Sequence, residues 1–227
     1  MINKLICGID EAGRGPLAGP VVSAAVILPH KHQIQGLADS KKISPKNRKI
    51  LFEEIIDICD VGVGIVSSRE IDKINILQAT YTSMEKALDK LKTIPRKILV
   101  DGYAIPTKRI LSEGIIKGDQ KIQEISAASI VAKVVRDKFM VLVDPIFPQF
   151  EFSKHKGYGT KFHMDALKSY KATLIHRTSF APVKKNLPDD EMLKSKAYKY
   201  LLRDQKKELE ILNKEIKNWF SLKNLIY

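Results

Sequence analysis

The chain has 227 residues, with 44% hydrophobic and 29% charged side chains, 12 Gly and 10 Pro. That balance excludes collagen-like, low-complexity and wholly disordered classes and leaves room for one domain of about 150 to 200 residues plus an extension. Lys and Arg number 39 against 26 Asp and Glu, a net charge of +13, so the expected partner is a polyanion, nucleic acid before an anionic membrane surface.

Residues 3–9 and 19–28 read as strands around a Gly/Pro-rich turn at 12–16, which suggests a hairpin. Apolar runs such as Val21 to Leu28 fall far short of the ~18 to 20 residues that a membrane helix requires, so no membrane contact is expected. Leu5 to Ile9 is too short for the apolar part of a signal peptide, and Asp10 and Glu11 follow at once, so the protein is expected in the cytoplasm. Cys7 and Cys59 have no CxxC spacing and read as reduced core residues.

Ser44 caps a helix with Pro45 at its first position, running to about Ile58, and a strand follows at 60–66. Residues 71–92 carry Ile76, Leu77, Tyr81, Met84, Leu88 and Leu91 at helical spacing, and Lys97 to Val100 is a buried strand ending at Asp101. Over 122–143, Ile122, Ile125, Ala128, Ser129, Ala132, Val135 and Phe139 line one helical face, small enough to lie close to a sheet. Residues 145–163 read as an ordered loop leading into a helix at 161–170. Beyond Pro182 a sparse apolar repeat (Leu193, Tyr200, Leu201, Leu209, Leu212, Ile216, Trp219) suits one or two amphipathic helices packed on the main domain. The alternation predicts an α/β three-layer architecture.

Gly8-Ile9-Asp10-Glu11-Ala12-Gly13-Arg14-Gly15-Pro16 is the densest chemical signal, with two adjacent carboxylates at the end of a buried strand where ordinary packing would not place charge. The GxGxxxG pattern of Gly13, Gly15 and Gly19 is no dinucleotide turn, because a strand follows it where a helix should. Asp101 and Asp119 fit the same sheet edge, and four converging carboxylates suit two Mg²⁺ or Mn²⁺ ions; a helix N-cap is an equal alternative for Asp119.

The segment Gly8 to Val21 closely resembles the opening of the type 2 ribonuclease H family, bacterial ribonuclease HII. Asp39-Ser40-Lys41-Lys42-Ile43-Ser44, Asn75 to Thr80, Val100-Asp101-Gly102, Lys117-Gly118-Asp119, Ser126 to Lys133, His155-Lys156-Gly157-Tyr158-Gly159-Thr160 and His176 to Val183 resemble its other motifs in order. The resemblance covers roughly residues 3–184. It implies a ribonuclease H-like fold with a mixed five-stranded sheet and a catalytic domain over 1–184; residues 185–227 match no family motif and read, from their pattern, as a charged amphipathic helical extension. It implies that Asp10, Glu11, Asp101 and Asp119 are the catalytic, metal-binding carboxylates; Asp119 is favoured over Asp137 for the fourth place, and Asp10, the central acid of the first strand, is the candidate shared ligand. The implied reaction is two-metal hydrolysis of the RNA strand of RNA–DNA hybrids, and of single ribonucleotides embedded in duplex DNA, leaving a 3′-hydroxyl and a 5′-phosphate.

Gly13, Arg14 and Gly15 can bring backbone amides to a ribose 2′-hydroxyl, and the resemblance implies that Tyr158 stacks on the sugar beside the scissile junction. Phosphate contacts are expected from Ser40, Lys41 and Lys42 by motif, and from Lys154 and Lys156 in a basic stretch interleaved with aromatics. His155, His163 and His176 lack zinc spacing and read as packing or hydrogen-bonding residues. A monomer is expected; a sliding-clamp contact is left open. Two rival readings are another nuclease of the same fold and a non-catalytic nucleic-acid-binding protein; the HKGYGT block opposes the first and the four acids oppose the second.

Overall fold

The computed structural model describes residues 5–37, 43–106, 110–223 and 225. Its centre is a mixed sheet of five strands in the order β3-β2-β1-β4-β5: β1 Ile6–Ala12, β2 Val21–Ile27, β3 Asp60–Val66, β4 Lys97–Asp101 and β5 Leu111–Ile115. β1, β2 and β3 pair antiparallel, while β4 lies parallel to β1 and β5 parallel to β4. The three-layer α/β expectation holds, with helices on both faces of this sheet.

The helices are α1 Pro45–Ile58, α2 Ser68–Leu88, α3 Gln123–Leu142, α4 Phe152–His155, α5 Lys161–Tyr170, α6 Ala181–Lys184, α7 Asp190–Lys194 and α8 Lys196–Leu222. Alternation along β2 explains the layering. Val22, Ala24 and Val26 enter the core shared with α1 and α3, whereas Ala25 and Ile27 enter the core beneath α2 with Cys7, Ile9, Met84 and Ala87. Burial pushes the Cys7 thiol up and the Cys59 thiol up to about 12, which fits unreactive reduced cysteines.

Ser44 caps α1 as expected, accepting from the Asn47 N–H. α2 begins earlier than the apolar spacing indicates, because Ser67 and Glu70 form a capping box. It is also interrupted: Asn75 takes a positive φ of 65°, and its Oδ1 accepts from the N–H groups of Leu77 and Gln78, capping the second half. β5 is absent from the chain-order reading above. Its Leu-Ser-Glu-Gly-Ile sequence is short and half exposed at the sheet edge, so neither hydrophobic run nor alternation marks it.

The C-terminal repeat is used in part. Leu212, Ile216 and Phe220 of α8 are buried against the main core, Trp219 stacks on Phe52 of α1 at 5.9 Å, and the Lys223 Nζ bonds Glu53 Oε2 at 2.6 Å. Leu193, Tyr200 and Leu201, earlier in the same repeat, remain exposed. The packed half therefore holds the extension on α1. No described helix is long and apolar enough to cross a membrane.

α3 approaches β1 so closely that a Cβ at Gly8 would stand 2.0 Å from the Glu124 carbonyl carbon. Gly8→Ala should destabilise the protein by about 3 kcal/mol or more, because backbone rather than a flexible side chain must give way. The denaturant midpoint measures this; a loss below about 0.5 kcal/mol would mean that α3 lifts freely from the sheet.

Candidate functional site

The parallel pairing of β1 with β4 sets the site. Ile9 pairs with Val100, so Asp10 and Asp101 are the next residues along two neighbouring strands at the same edge. Asp10 lies inside β1 rather than beyond it, 6% exposed, and shares the α3 face with Gly8. The close approach at Gly8 brings Ser129 of α3 to the Asp10 carboxylate, where its hydroxyl donates a hydrogen bond. The Glu11 N–H donates to Asp10 Oδ1 at 2.7 Å, and Arg14 Nη1 donates to Glu11 Oε1 at 3.3 Å.

Asp101 Oδ1 accepts from the Gly118 N–H at 2.7 Å, which ties the 3₁₀ turn Gly118–Gln120 to the end of β4. Asp119 is the next residue in that turn, 1% exposed. It is not the N-cap of α3, since Ile122 occupies that position and offers no side-chain bond. Asp137, the competitor, forms an i,i+4 ion pair with Lys133 at 2.8 Å along α3.

Burial, then the adjacent Glu11 charge, holds the Asp10 carboxyl well above its ordinary range; the Ser129 bond opposes this and Asp101 adds to it. Burial also raises Glu11, against the Arg14 guanidinium and with help from Asp101. Among the described residues no three His, Cys, Asp or Glu side chains already form a metal-holding group. Asp10 and Glu11 are hard oxygen donors whose ionisation is suppressed by burial and by neighbouring carboxylates, which fits a divalent cation, because its charge would offset both penalties.

Beside the acids lies the Gly13-Arg14-Gly15 turn. Gly13 has φ +100°, and a Cβ there would stand 2.1 Å from Arg136 Nε. A Cβ at Gly15 would meet Tyr158 Cε1 at 3.7 Å, so this turn and the Tyr158 loop adjoin; the Tyr158 side chain is about half exposed. Beneath them Arg136 and Arg177 are fully buried and bond to carbonyl oxygens. Arg136 donates to Pro20, Lys156 and Ala18, and Arg177 to Gly19, Arg14, Gly13 and Pro20.

The three histidines gather behind the same loop. The Thr173 N–H donates to His176 Nδ1, and His163 Nδ1 lies 2.9 Å from the Tyr158 carbonyl, which can only accept. The intervening Nε2 to Nε2 contact of 3.0 Å therefore carries one proton, donated by His176 to His163. His155 donates from Nε2 to the Phe150 carbonyl and accepts from the Gly157 N–H, so every ring nitrogen has a partner.

These arrangements can be set beside known proteins. The family described as Ribonuclease HII matches residues 7–183. The chain belongs to this family. A Ribonuclease HII from Caldicellulosiruptor bescii is 51% identical over 178 residues, 78% of this chain and 86% of that one. The solved ribonuclease H2 from Pyrococcus horikoshii OT3 has a TM-score of 0.66 at 29% identity, covering 79% of this chain and 95% of that one. The Archaeoglobus fulgidus RNase HII, solved in a complex with PCNA, gives 0.61 at 28% identity, over 73% and 88%. Bst-RNase HIII, solved in complex with Mn²⁺, shares the fold at 19% identity, TM-score 0.63, over 80% of this chain and 68% of that one.

Of the residues that the ribonuclease HII resemblance nominates for phosphate, Ser40, Lys41 and Lys42 lie outside the described residues. Lys154 is exposed and paired with Glu151 at 2.7 Å, while Lys156 Nζ donates to the Ser153 carbonyl. Arg136 and Arg177 were not nominated at all. Arg177 stands within a quoted motif, and Arg136 falls one turn after Ala132 on the apolar face of α3, where an unneutralised Arg is itself a signal.

Burial lowers His163 to about 4, with the Tyr158 carbonyl opposing, and lowers His176 to about 3, with His163 and His155 adding to the effect. Both values lie below the unfolded value of about 6.5, so their stabilising contribution is complete above that pH and is lost as pH falls toward 4. Asp10, raised by burial, acts with the opposite sign. Unfolding free energies measured from pH 7 to 4.5 should therefore fall more steeply in wild type than in His163→Gln, by up to about 1.4 kcal/mol per pH unit. Parallel profiles would mean that the ring is already charged in the native protein.

Proposed function

We propose that this chain hydrolyses the RNA strand of RNA–DNA hybrids and cuts at single ribonucleotides embedded in duplex DNA, leaving a 3′-hydroxyl and a 5′-phosphate. The observation that carries the reading is the buried Asp10 carboxylate, flanked by Glu11 and Asp101, with Asp119 in the turn bonded to Asp101. We assign catalysis to residues 1–184 and a packed helical extension to 185–227.

Asp10, Glu11, Asp101 and Asp119 would hold two Mg²⁺ or Mn²⁺ ions, with Asp10 shared. When bound, such ions make water nucleophilic at neutral pH and offset charge at the phosphate. The residues of the chain position the reactants. Ser129 and the Glu11 N–H fix the Asp10 carboxylate, and the Gly118 N–H fixes Asp101, so little reorganisation is left for the reaction itself. Arg14 lies against Glu11 and keeps one cationic group at the mouth of the acidic edge.

Substrate choice is assigned to the turn and loop beside the acids. Backbone amides of Gly13, Arg14 and Gly15 read the 2′-hydroxyl, and the half-exposed Tyr158 ring stacks on the following sugar. Ser40, Lys41, Lys42, Lys154 and Lys156 supply phosphate contacts. This specificity suits ribonucleotide excision repair by a monomer in the cytoplasm. The archaeal relative solved with PCNA makes a sliding clamp the protein partner to test.

Asp10→Asn should lower cleavage of a labelled hybrid by at least about 10³-fold while hybrid binding persists, since charge stabilisation by metal is worth several kcal/mol. Asp119→Asn should lose far more activity than Asp137→Asn, whose ion pair on α3 is worth only about 0.5 kcal/mol. Substantial turnover by Asp10→Asn, or equal losses at 119 and 137, would overturn the metal-ligand assignment.

Tyr158→Ala should reduce cutting at a single embedded ribonucleotide about tenfold more than cutting within a long RNA strand, because stacking is worth about 1 to 3 kcal/mol. Mn²⁺ binding, followed by titration, should stay at the wild-type level. Equal losses on both substrates would make Tyr158 a general structural residue.

A further inference from the structure

The segment from Gly13 to Pro20 is a turn without ladder partners for most of its carbonyl groups, yet it is buried from Leu17 to Pro20. Buried carbonyls need donors, and here two guanidinium groups supply them. Arg177, arriving from the segment after α5, reaches Gly13 at 2.5 Å, Arg14 and Gly19 at 3.0 Å, and Pro20 at 3.1 Å. Arg136, arriving from α3, reaches Pro20 at 3.0 Å, Ala18 at 3.1 Å and Lys156 at 3.0 Å.

The Pro20 carbonyl thus accepts from both arginines and links them. Through Lys156 the same network passes to the residue two before Tyr158, and the Arg136 guanidinium carbon stands 5.9 Å from the centre of the Tyr158 ring. A backbone bond from the Leu17 N–H to the Gly157 carbonyl, 2.8 Å, closes the other side. Neither arginine forms an ion pair with a carboxylate among the described residues, so each is held by carbonyl dipoles, an arrangement that suits the planar five-donor fork of Arg and not the single nitrogen of Lys.

We propose that Arg136 and Arg177 are positioning residues that lock the Gly13–Gly15 turn to the Tyr158 loop, so that the two meet an RNA-to-DNA junction as one rigid surface. The inference rests on the ribose-reading role assigned to that turn and to Tyr158. It makes junction recognition depend on two side chains buried beneath the surface. A small displacement of a positioned group lowers a rate steeply, by as much as about 10²-fold for 1 Å, so loosening the bracket harms the most demanding substrate first.

The test compares Arg177→Lys, Arg136→Lys, Tyr158→Ala and the double variant Arg136→Lys/Tyr158→Ala on two duplexes, one with a single ribonucleotide and one with a long RNA strand, after thermal melts establish folding. Each Lys variant should lose about tenfold or more on the single ribonucleotide, mainly in kcat, with a much smaller loss on the long RNA strand. The double variant should be no worse than its worse parent, because both changes disrupt one unit. If Tyr158→Ala weakens junction preference and both Lys variants keep it, the bracket is overturned and the ribose reading stands. If Tyr158→Ala itself leaves the preference intact, the ribose reading falls and the bracket with it.

Should the Lys variants fail to fold, wild-type protein labelled with ¹⁵N-arginine in the presence of chelator gives an independent answer. Two slowly exchanging Nε–H signals should both shift on saturation with the single-ribonucleotide duplex and differ from their positions with an all-DNA duplex. Identical positions with the two duplexes would overturn the proposal.

Discussion

A guanidinium buried without a carboxylate is costly to desolvate, and this structure contains two of them sharing one carbonyl acceptor. Burial lowers Arg136 to about 10 and Arg177 to about 9, the second also through repulsion by the first, so both remain charged at neutral pH. Their seven hydrogen bonds to six carbonyl oxygens offset that cost. The exchange works in both directions. The carbonyls of the 13–20 turn could not be buried without donors, and the arginines could not be buried without acceptors. Gly13 is required by the same packing, since any side chain there would strike Arg136. Asp72 extends the framework by accepting four hydrogen bonds from Thr178 and Ser179, next to Arg177, so the start of α2 holds the segment that delivers the guanidinium.

The acidic edge obeys a different constraint, the closeness of α3 to β1. Without a side chain at Gly8 the helix descends onto the strand, and Ser129 comes to Asp10 as a consequence. Parallel pairing of β1 with β4 then adds Asp101, and the Gly118 bond adds the turn that carries Asp119. Three different kinds of local structure, a strand pairing, a helix contact and a turn, therefore position the four carboxylates. Burial and the neighbouring carboxylates then hold Asp10 well above its ordinary range, so the contacts that place this acid also set its protonation.

Much of this was legible from residue order. Ser44-Pro45 marks the start of α1 and Asp101 marks the end of β4, because caps and strand ends are short-range features that adjacent residues dictate. The nominated acids lie where the sheet edge was expected. The break at Asn75 was not legible from apolar spacing, which continues through it, although an Asn able to cap its own successor is the kind of residue that permits it. β5 was missed because an exposed edge strand of five residues carries no periodic signal. Arg136 and the proton order of the His163–His176 pair depend on groups more than ten residues apart meeting in space, a relation that local patterns do not encode.

Charge operates at two ranges in this chain. The chain is +13 overall, and residues 1–183 alone are +9, which draws a polyanionic duplex toward the protein from a distance. Yet that positive field does not make Asp10 easier to ionise. Its carboxyl is raised, because desolvation and the neighbouring carboxylates Glu11 and Asp101 outweigh the hydrogen bonds from Ser129 and the Glu11 N–H. Arg14 acts at short range: it contacts Glu11 directly and opposes the rise of that carboxyl, while its backbone carbonyl is held by Arg177. Attraction of the duplex and compensation of the acids are thus carried by different cations, and a change in surface lysine content would alter encounter with substrate without altering the protonation of Asp10.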